Sequence, residues 1–243
     1  MKHTSKFTFS ILIVLLTFLA NAQEKKKDSI PVKSERYGIR AGIDLYKSTR
    51  SFYDKDYKGI EFAGDYRLSK KYFLAAEFGN ENQTTKDTYV DFTTKGSYIK
   101  VGFDYNGYEN WTGMENIIGI GLRYGVSNFS QTLNSYTIYD RNPYFGPTEN
   151  VPSGQEYNGL SAHWIEVVTG LKVEVLHNIY VGFSVRLKTL IANEKTTNFD
   201  NLYIPGFNKT YNGNFGFGFN YTVSYLLPIY KKKSAIPKTV KKK

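Results

Sequence analysis

The chain has 243 residues, no cysteine, 16% aromatic residues and a mean hydropathy of −0.43. This length suits one sizeable domain or two small ones, and the lack of cysteine excludes disulfide bonds and a lipid-modified N-terminal cysteine. The formal charge of +10 arises at the two ends, because residues 37–230 carry 18 basic and 19 acidic side chains, whereas residues 231–243 carry seven lysines and no acid. A neutral body does not provide a basic groove, so we expect no nucleic acid partner.

Residues 1–22 predict a secretory signal peptide. A short basic start is followed by an apolar run over residues 7–20 and by Ala20-Asn21-Ala22, a small-x-small sequence that fits a cleavage site. The alternative is a single anchoring helix, but the apolar run is shorter than the ~20 residues that a membrane span needs. Residues 23–36 follow as a polar N-terminal segment.

Eight later segments alternate between an apolar face and a small or polar face. In chain order they cover residues 37–45, 60–67, 72–79, 99–105, 118–125, 165–174, 179–188 and 213–227. In the last segment the apolar face includes Phe215, Phe217, Phe219 and Tyr221, and the small face includes Asn214, Gly216, Gly218 and Asn220. Alternation with a period of two predicts β-strands, and the aromatic- and glycine-rich composition favours an all-β protein.

The strand lengths and connections favour a transmembrane antiparallel up-and-down β-barrel of eight strands over residues 37–230. Segments of about 10 residues match the length that a tilted membrane-spanning strand needs, whereas strands of soluble proteins are usually shorter. The connections after the second, fourth and sixth strands are short, and the others are mostly longer and polar, the longest covering residues 127–159. This asymmetry is typical of outer-membrane barrels, with short turns and both termini in the periplasm and long loops outside the cell.

Two alternatives to this architecture stay open. Residues 136–139 or 199–204 could add strands above the membrane, which would give ten strands. A soluble β-sandwich or lipocalin-like barrel would instead turn the apolar faces inward and leave the charges on an ordinary solvated surface.

In a membrane barrel the small face lines the interior, and here that face carries charges of both signs in equal number. An eight-stranded interior is just wide enough for side chains, so these charges are expected to pair. The interior ion-pair network, to which we assign a structural role, comprises Arg40, Asp44, Glu61, Asp65, Glu77, Lys100, Asp104, Arg123, Glu166, Lys172 and Arg186. We expect Arg67, Glu174 and Lys188 at hydrated rims. A balanced network would fill the lumen, which argues against a diffusion pore.

Aromatic residues near strand ends fit the interfacial girdles of such barrels. They are Tyr46, Tyr66, Tyr72, Tyr105, Trp111, Trp164 and Tyr230. Tyrosines of the longest connection, including Tyr136, Tyr144 and Tyr157, are expected either to contact a partner or to fold over the barrel mouth as a lid.

The alternation and the last strand resemble the small eight-stranded outer-membrane barrels, the class of the outer-membrane protein A transmembrane domain and the opacity proteins. Gly218-x-x-Tyr221-x-Val223-x-Tyr225 resembles the assembly signal of these barrels, although the usual terminal aromatic residue is followed here by a Lys-rich tail, residues 231–243. The leader is similar to those of secreted Bacteroidota proteins, and the chain resembles a family of uncharacterised outer-membrane barrels from that phylum. The resemblance implies a fold and an outer-membrane location but no activity, because small barrels serve many functions.

The sequence offers little catalytic or metal-binding chemistry. With three His and no Cys, we expect neither a metal site nor a cofactor. Ser161 and His163 share one strand face, but Glu166 falls on the other face, so the acid that a catalytic triad needs to orient its base is missing.

These observations favour a non-enzymatic outer-membrane barrel with a structural or interaction role. Such a protein would contact outer-membrane lipid and lipopolysaccharide and dock with other envelope components through its extracellular loops. The alternatives are a narrow channel or transporter for small or apolar solutes and, as a third hypothesis, a lipid A-modifying hydrolase that uses Ser161 and His163.

Overall fold

A computed structural model describes residues 34–110, 114–138, 144, 150–194, 201, 203–209 and 213–233. The predicted signal peptide, residues 23–33 and the end of the Lys-rich tail lie outside this range. The elements are β1 (Ser34–Asp44), α1 (Leu45–Tyr53), β2 (Tyr57–Arg67), β3 (Tyr72–Lys86), β4 (Val90–Asn106), β5 (Ile117–Thr137), β6 (Asn150–Leu176), β7 (Ile179–Asn193), β8 (Tyr203–Ile204), β9 (Asn208–Lys209) and β10 (Phe215–Lys233). Among the described residues, no helix combines the length and the apolar character that crossing a membrane requires.

Eight of these strands close into one barrel. β1 pairs antiparallel with β2 and with β10, and the other strands follow in the order β2-β3-β4-β5-β6-β7-β10. The expected eight-stranded, antiparallel up-and-down barrel is therefore confirmed. β8 and β9 do not join it, as ten strands would require, but pair with each other in a separate hairpin.

The barrel has two unlike ends. The turn end carries the short β2–β3 and β6–β7 connections and the paired strand termini, Ser34 opposite Lys233. The loop end carries α1 and the β8–β9 hairpin, residues 203–209, which we call the plug hairpin.

The strand register sets the tilt of the barrel. Starting from Ile43, the Cα partners through β2, β3, β4 and β5 lead to His163 of β6. In the other direction, through β10 and β7, they lead to Val173 of the same strand, ten residues further along. This stagger in an eight-stranded barrel accompanies a strand tilt of roughly 35–45°.

The distribution of apolar residues is the reverse of that in a soluble protein. An apolar belt of exposed side chains surrounds the outside, and its members include Ile39, Ile60, Phe62, Leu74, Phe78, Ile99, Phe103, Ile120, Leu122, Ile165, Val167, Leu187, Phe217 and Phe219. The positions between them point inward and are glycine, small or charged, such as the buried Gly216 and Gly218. The predicted assignment of faces for the last strand is therefore correct.

Strands β5 and β6 continue past the apolar belt at the loop end. Residues 127–137 and 150–159 were expected in a polar loop, but they form paired strands with two register shifts. The loop expectation is wrong because these residues also alternate: Phe129, Gln131 and Leu133 are buried, while Asn128 is exposed. We call the described residues 127–138 and 150–162 the β5–β6 hairpin.

Candidate functional site

The interior of the barrel holds the charged residues singled out from the sequence. Glu77 lies in the central layer, with its carboxylate 2.9 Å from Lys100 Nζ and 2.6 Å from Arg186 Nη1. Glu166 lies 3.0 Å from Arg186 Nη1 and accepts a hydrogen bond of 2.7 Å from the Trp164 indole. All of these side chains are buried, so they compensate each other's charge in place of water.

A second group of charges lies nearer the loop end. Glu61 lies 3.0 Å from Lys100 Nζ and 2.6 Å from Lys47 Nζ. Lys47 extends inward from α1 and also pairs with Glu81 at 2.7 Å, and its ammonium donates to the Tyr98 hydroxyl. The ion pairs therefore continue from the strand wall into the helix that follows β1.

Glu81 also holds the plug hairpin. One carboxylate oxygen accepts hydrogen bonds from the Tyr203 hydroxyl at 2.7 Å and from the Gly206 backbone N–H at 3.0 Å. Burial, and then the charge of Glu81, raise the pKa of the Tyr203 phenol well above its usual value, so the phenol stays protonated and donates. From the opposite wall, Lys188 Nζ donates to the carbonyl oxygens of Gly206 and Phe207 at 2.8 and 3.3 Å.

Aromatic packing seals the plug hairpin inside the barrel. Ile204 and Phe207 are fully buried in a cluster with Tyr98, Phe129 and Trp164. The Phe207 and Trp164 rings meet edge to face, with centroids 6.0 Å apart. The hairpin thus fills the loop end of the lumen, where a lid formed by the longest connection was one of two alternatives expected from the sequence.

The turn-end half of the interior holds the remaining pairs. Asp65 lies 2.6 Å from Arg40 Nη2 and 2.7 Å from Lys172 Nζ. The Arg40 guanidinium also lies 5.0 Å from the ring centroids of both Phe73 and Tyr180, a favourable cation–π arrangement.

Asp104 and Arg123 pair at 2.7 Å, and Arg123 Nε lies 3.5 Å from Glu77. A cavity of about 70 Å³ lies among these groups, and its lining combines glycines and small residues with charged and apolar side chains. It has room for a few water molecules.

Three expectations about the interior are corrected by the structure. Asp44 makes no ion pair among the described residues, because its carboxylate caps α1 by accepting the Tyr46 and Lys47 backbone N–H groups and also receives the Asn220 amide. Lys188 is buried under the plug hairpin and does not lie at a hydrated rim. Trp164 is not a girdle residue, since its side chain is fully buried inside the barrel.

Arg67 and Glu174 do lie near the turn end, each in an ion pair. Arg67 pairs with Glu35 at 2.9 Å and Glu174 with Arg36 at 2.6 Å. Of the other expected girdle residues, Tyr72 and Tyr105 have ring centroids 5.4 Å apart at this end, and Trp111 lies outside the described residues.

Sequence reasoning missed Lys47 and Glu81 as members of the interior site. Glu81 was detectable, because it continues the inward positions of β3 beyond Glu77 and Gly79. Lys47 was not, because its inward direction depends on a helix in a segment interpreted as a loop.

The outward pair Ser161 and His163 does not form a triad. His163 Nδ1 is hydrogen-bonded to the Tyr124 hydroxyl at 2.9 Å, and Glu194 accepts the Ser161 backbone N–H at 2.9 Å. Within the described ranges, no carboxylate bonds the His163 ring, and no group of His, Asp and Glu side chains is arranged to hold a metal ion.

The molecule is thus an eight-stranded antiparallel barrel with an apolar exterior and a charged, plugged interior. The chain belongs to the family described as "Domain of unknown function (DUF6048)", which matches residues 4–232. No curated protein matches the sequence. Among solved structures, the chain is similar to Neisserial surface protein A (NspA), with 10% identity, 79% of this chain and 97% of that chain covered, and a TM-score of 0.43. It is also similar to Ail, the attachment invasion locus protein of Yersinia pestis, with 12% identity, coverage of 81% and 99%, and a TM-score of 0.37.

Proposed function

We propose that the protein is a closed, non-enzymatic barrel of the outer membrane that holds the β5–β6 hairpin outside the cell to dock with other envelope components. The observation that carries the membrane assignment is the apolar belt around a charged interior. About 9–11 residues of tilted strand cross a bilayer, and the outward residues of β5 from Ile118 to Tyr124 are apolar before the face becomes polar at Asn128. In water such a belt would be a very large exposed apolar patch.

The orientation follows from the two ends. The turn end, with both strand termini, faces the periplasm, and the loop end faces the cell exterior, as in bacterial barrels with short periplasmic turns. The signal peptide expected over residues 1–22 agrees with this route, and the belt would contact outer-membrane lipid, including lipopolysaccharide.

The plugged lumen supports a closed barrel over a channel. Passage through the loop end would require the plug hairpin to leave its aromatic cluster and its bonds to Glu81 and Lys188. We expect no conductance from the protein in a planar phospholipid bilayer, and none from a variant in which residues 203–209 are replaced by a glycine-serine linker, because ion pairs such as Asp65 with Lys172 still cross the other half of the lumen. Steady conductance from the unaltered protein would overturn the closed-barrel assignment.

The β5–β6 hairpin supports the docking role. Its strands remain paired with each other from the apolar belt out to Thr137 and Asn150. β5 is also paired with β4 as far as Tyr136, whereas β6, among the described residues, pairs only with β5 before Ala162. A paired hairpin presents a fixed polar surface. Binding a partner to it therefore costs less conformational entropy than ordering a mobile loop would.

The docking role is tested by purification of the tagged protein from native outer membranes in mild detergent. We expect stoichiometric partners with the intact chain and their loss from a variant in which residues 132–156 are replaced by a two-residue Asn-Gly turn. Substitution of Asp56, an exposed residue before β2 on the opposite side of the loop end, is the matched control. Partners that remain on the shortened variant would contradict docking through this hairpin. Both variants should keep the heat-dependent gel mobility of a folded barrel.

A further inference from the structure

Helix α1 occupies a gap in the barrel wall. β1 makes its last pairs at Ile43 with Phe62 of β2 and at Asp44 with Thr222 of β10. Both neighbours continue toward the loop end, β2 to Tyr57 and β10 to Phe215. The position where β1 would continue between them is taken by α1.

The helix is fixed to both edges of this gap. On the β2 side, the Ser51 hydroxyl accepts the Gly59 backbone N–H at 2.8 Å and donates to the Gly59 carbonyl oxygen at 3.0 Å. On the β10 side, the Tyr46 ring packs on Phe219, an outward residue of the apolar belt, with centroids 4.6 Å apart. Lys47 extends into the lumen, which fixes the rotation of the helix about its axis.

With Lys47 and Ser51 turned inward, the opposite face of α1 points out of the barrel. Leu45, Thr49 and Phe52 form one exposed stripe at the i, i+4, i+7 spacing of a helix face. Phe52 is 90% exposed and its neighbour Tyr53 is 72% exposed. This stripe stands between outward apolar side chains of the two flanking strands, Ile60 on β2 and Phe217 on β10.

We propose that α1 is a lipid-facing part of the barrel wall, with Leu45 against the acyl chains and Phe52 and Tyr53 at the headgroup level of the outer leaflet. The occupant of this surface is bilayer lipid, because the stripe is continuous with the apolar belt on both sides. Lys55 and Lys58 are exposed just beyond the helix, where lysines favour anionic headgroups. Helices with an apolar face of this kind lie with that face about 5–10 Å into the headgroup and acyl boundary. The inference rests on the proposed membrane insertion.

The chain has no cysteine, so single cysteines can carry an environment-sensitive fluorophore. The positions are Phe52→Cys and Thr49→Cys on the stripe, Leu187→Cys in the apolar belt and Thr88→Cys in the exposed β3–β4 turn. Each full-length variant is reconstituted in phosphatidylcholine vesicles with or without brominated acyl chains. We expect labels at positions 49, 52 and 187 to lose most of their emission to brominated lipid, and the label at position 88 to keep nearly all of it.

The depth of the label is a second readout. Bromine near the carbonyl end of the acyl chains should quench the label at position 52 more strongly than bromine near the terminal methyl. If labels at 49 and 52 behave like the label at 88 while the label at 187 is quenched, the helix faces water and the inference is wrong. If the label at 187 is also unquenched in folded protein, the barrel is not membrane-embedded and the proposed function itself fails. Thr49→Cys removes only hydrogen bonds within the helix, so it keeps the test valid if Phe52→Cys does not fold.

Discussion

The two halves of the barrel interior are filled in different ways. In the loop-end half, large rings from the strands and from the plug hairpin leave little space, and Tyr98, Trp164 and Phe207 are buried against one another. In the turn-end half, the walls are small residues, ion pairs such as Asp65 with Lys172 cross the lumen, and a cavity of about 70 Å³ remains. One half is closed by packing and the other by compensated charge.

The glycines show how one alternating pattern serves both halves. In the loop-end half some inward glycines lie against a ring: a Cβ atom would overlap the Trp164 indole at Gly125 and the Tyr98 ring at Gly79. In the turn-end half, a Cβ atom at the inward Gly121 would instead overlap the Asp104 carboxylate, which pairs with Arg123. The small inner face therefore makes room for rings at one end and for charged side chains and water at the other.

The largest effect is expected where the two halves join. Glu77→Gln should lower the free energy of unfolding by about 3–5 kcal/mol, because Lys100 and Arg186 lose the carboxylate that compensates their buried charges. Urea unfolding in phospholipid vesicles, followed by the mobility of unheated samples in SDS gels, measures the loss. Glu109→Gln at an exposed position is the control.

A double variant tests whether Glu77 stabilises the barrel through its charge or only through its size. In the double variant Glu77→Gln with Arg186→Gln, one of the uncompensated cations is also removed, so the loss should be smaller than the sum of the two single losses. Additive losses would indicate that the two side chains are not coupled.

The next prediction compares the loop-end half, which is closed by packing around the plug hairpin, with the turn-end half, which is closed by paired charges. Glu81→Gln should destabilise the protein by about 1–3 kcal/mol, because the groups that Glu81 holds, among them Lys47 and Tyr203, lose a charged acceptor in a buried place. It should also speed amide hydrogen exchange in residues 203–209. Asp65→Asn is the matched change in the turn-end half, and it should leave exchange in the plug hairpin unchanged. Equal exchange in the two variants would show that Glu81 does not hold the hairpin.

The strands that carry the apolar belt could be predicted because the side chains of a β-strand alternate between two faces. That period assigned the apolar faces to the outside and brought Glu77, Lys100, Glu166 and Arg186 to the inside before any contact was known. The same parity places Trp164 inside, two residues before Glu166; its assignment to a girdle came from treating a position near a strand end as a membrane interface.

The loop end could not be predicted in the same way. The plug hairpin has two strands of two residues each, too short to leave a periodic signal, and its position depends on Glu81 and Lys188 on opposite walls. α1 replaces a strand because Asp44 caps its N-terminus and Lys47 forms ion pairs with Glu61 and Glu81 inside the barrel. These contacts are between distant parts of the sequence, and no local pattern reports them.

The glycine comparison predicts a difference between two identical substitutions. Gly125→Ala should cost about 1–3 kcal/mol, because the indole of Trp164 must move within a packed cluster. Gly64→Ala should be nearly neutral, since Gly64 lies on the outer face, where the nearest contact of an added Cβ atom is the Arg40 carbonyl oxygen at 3.4 Å, and glycine is a poor strand residue. Both are measured by the urea unfolding assay, and equal losses would mean that the interior at Gly125 is no more tightly packed than the outer face at Gly64.

The smallest effect concerns Asp44, which the sequence assigned to the ion-pair network and the structure uses as a helix cap. Asp44→Ala should cost about 0.5–2 kcal/mol through the lost cap. Asp44→Asn separates the two roles, because asparagine caps a helix about as well as aspartate does but carries no charge. If Asp44 acts as a cap, the Asn variant should keep most of the stability and the quenching of a label at position 52. A loss as large as that of Asp44→Ala would instead indicate that the charge of Asp44 balances Lys47 across the start of α1, and the ion-pair network would then extend into the helix through this residue as well.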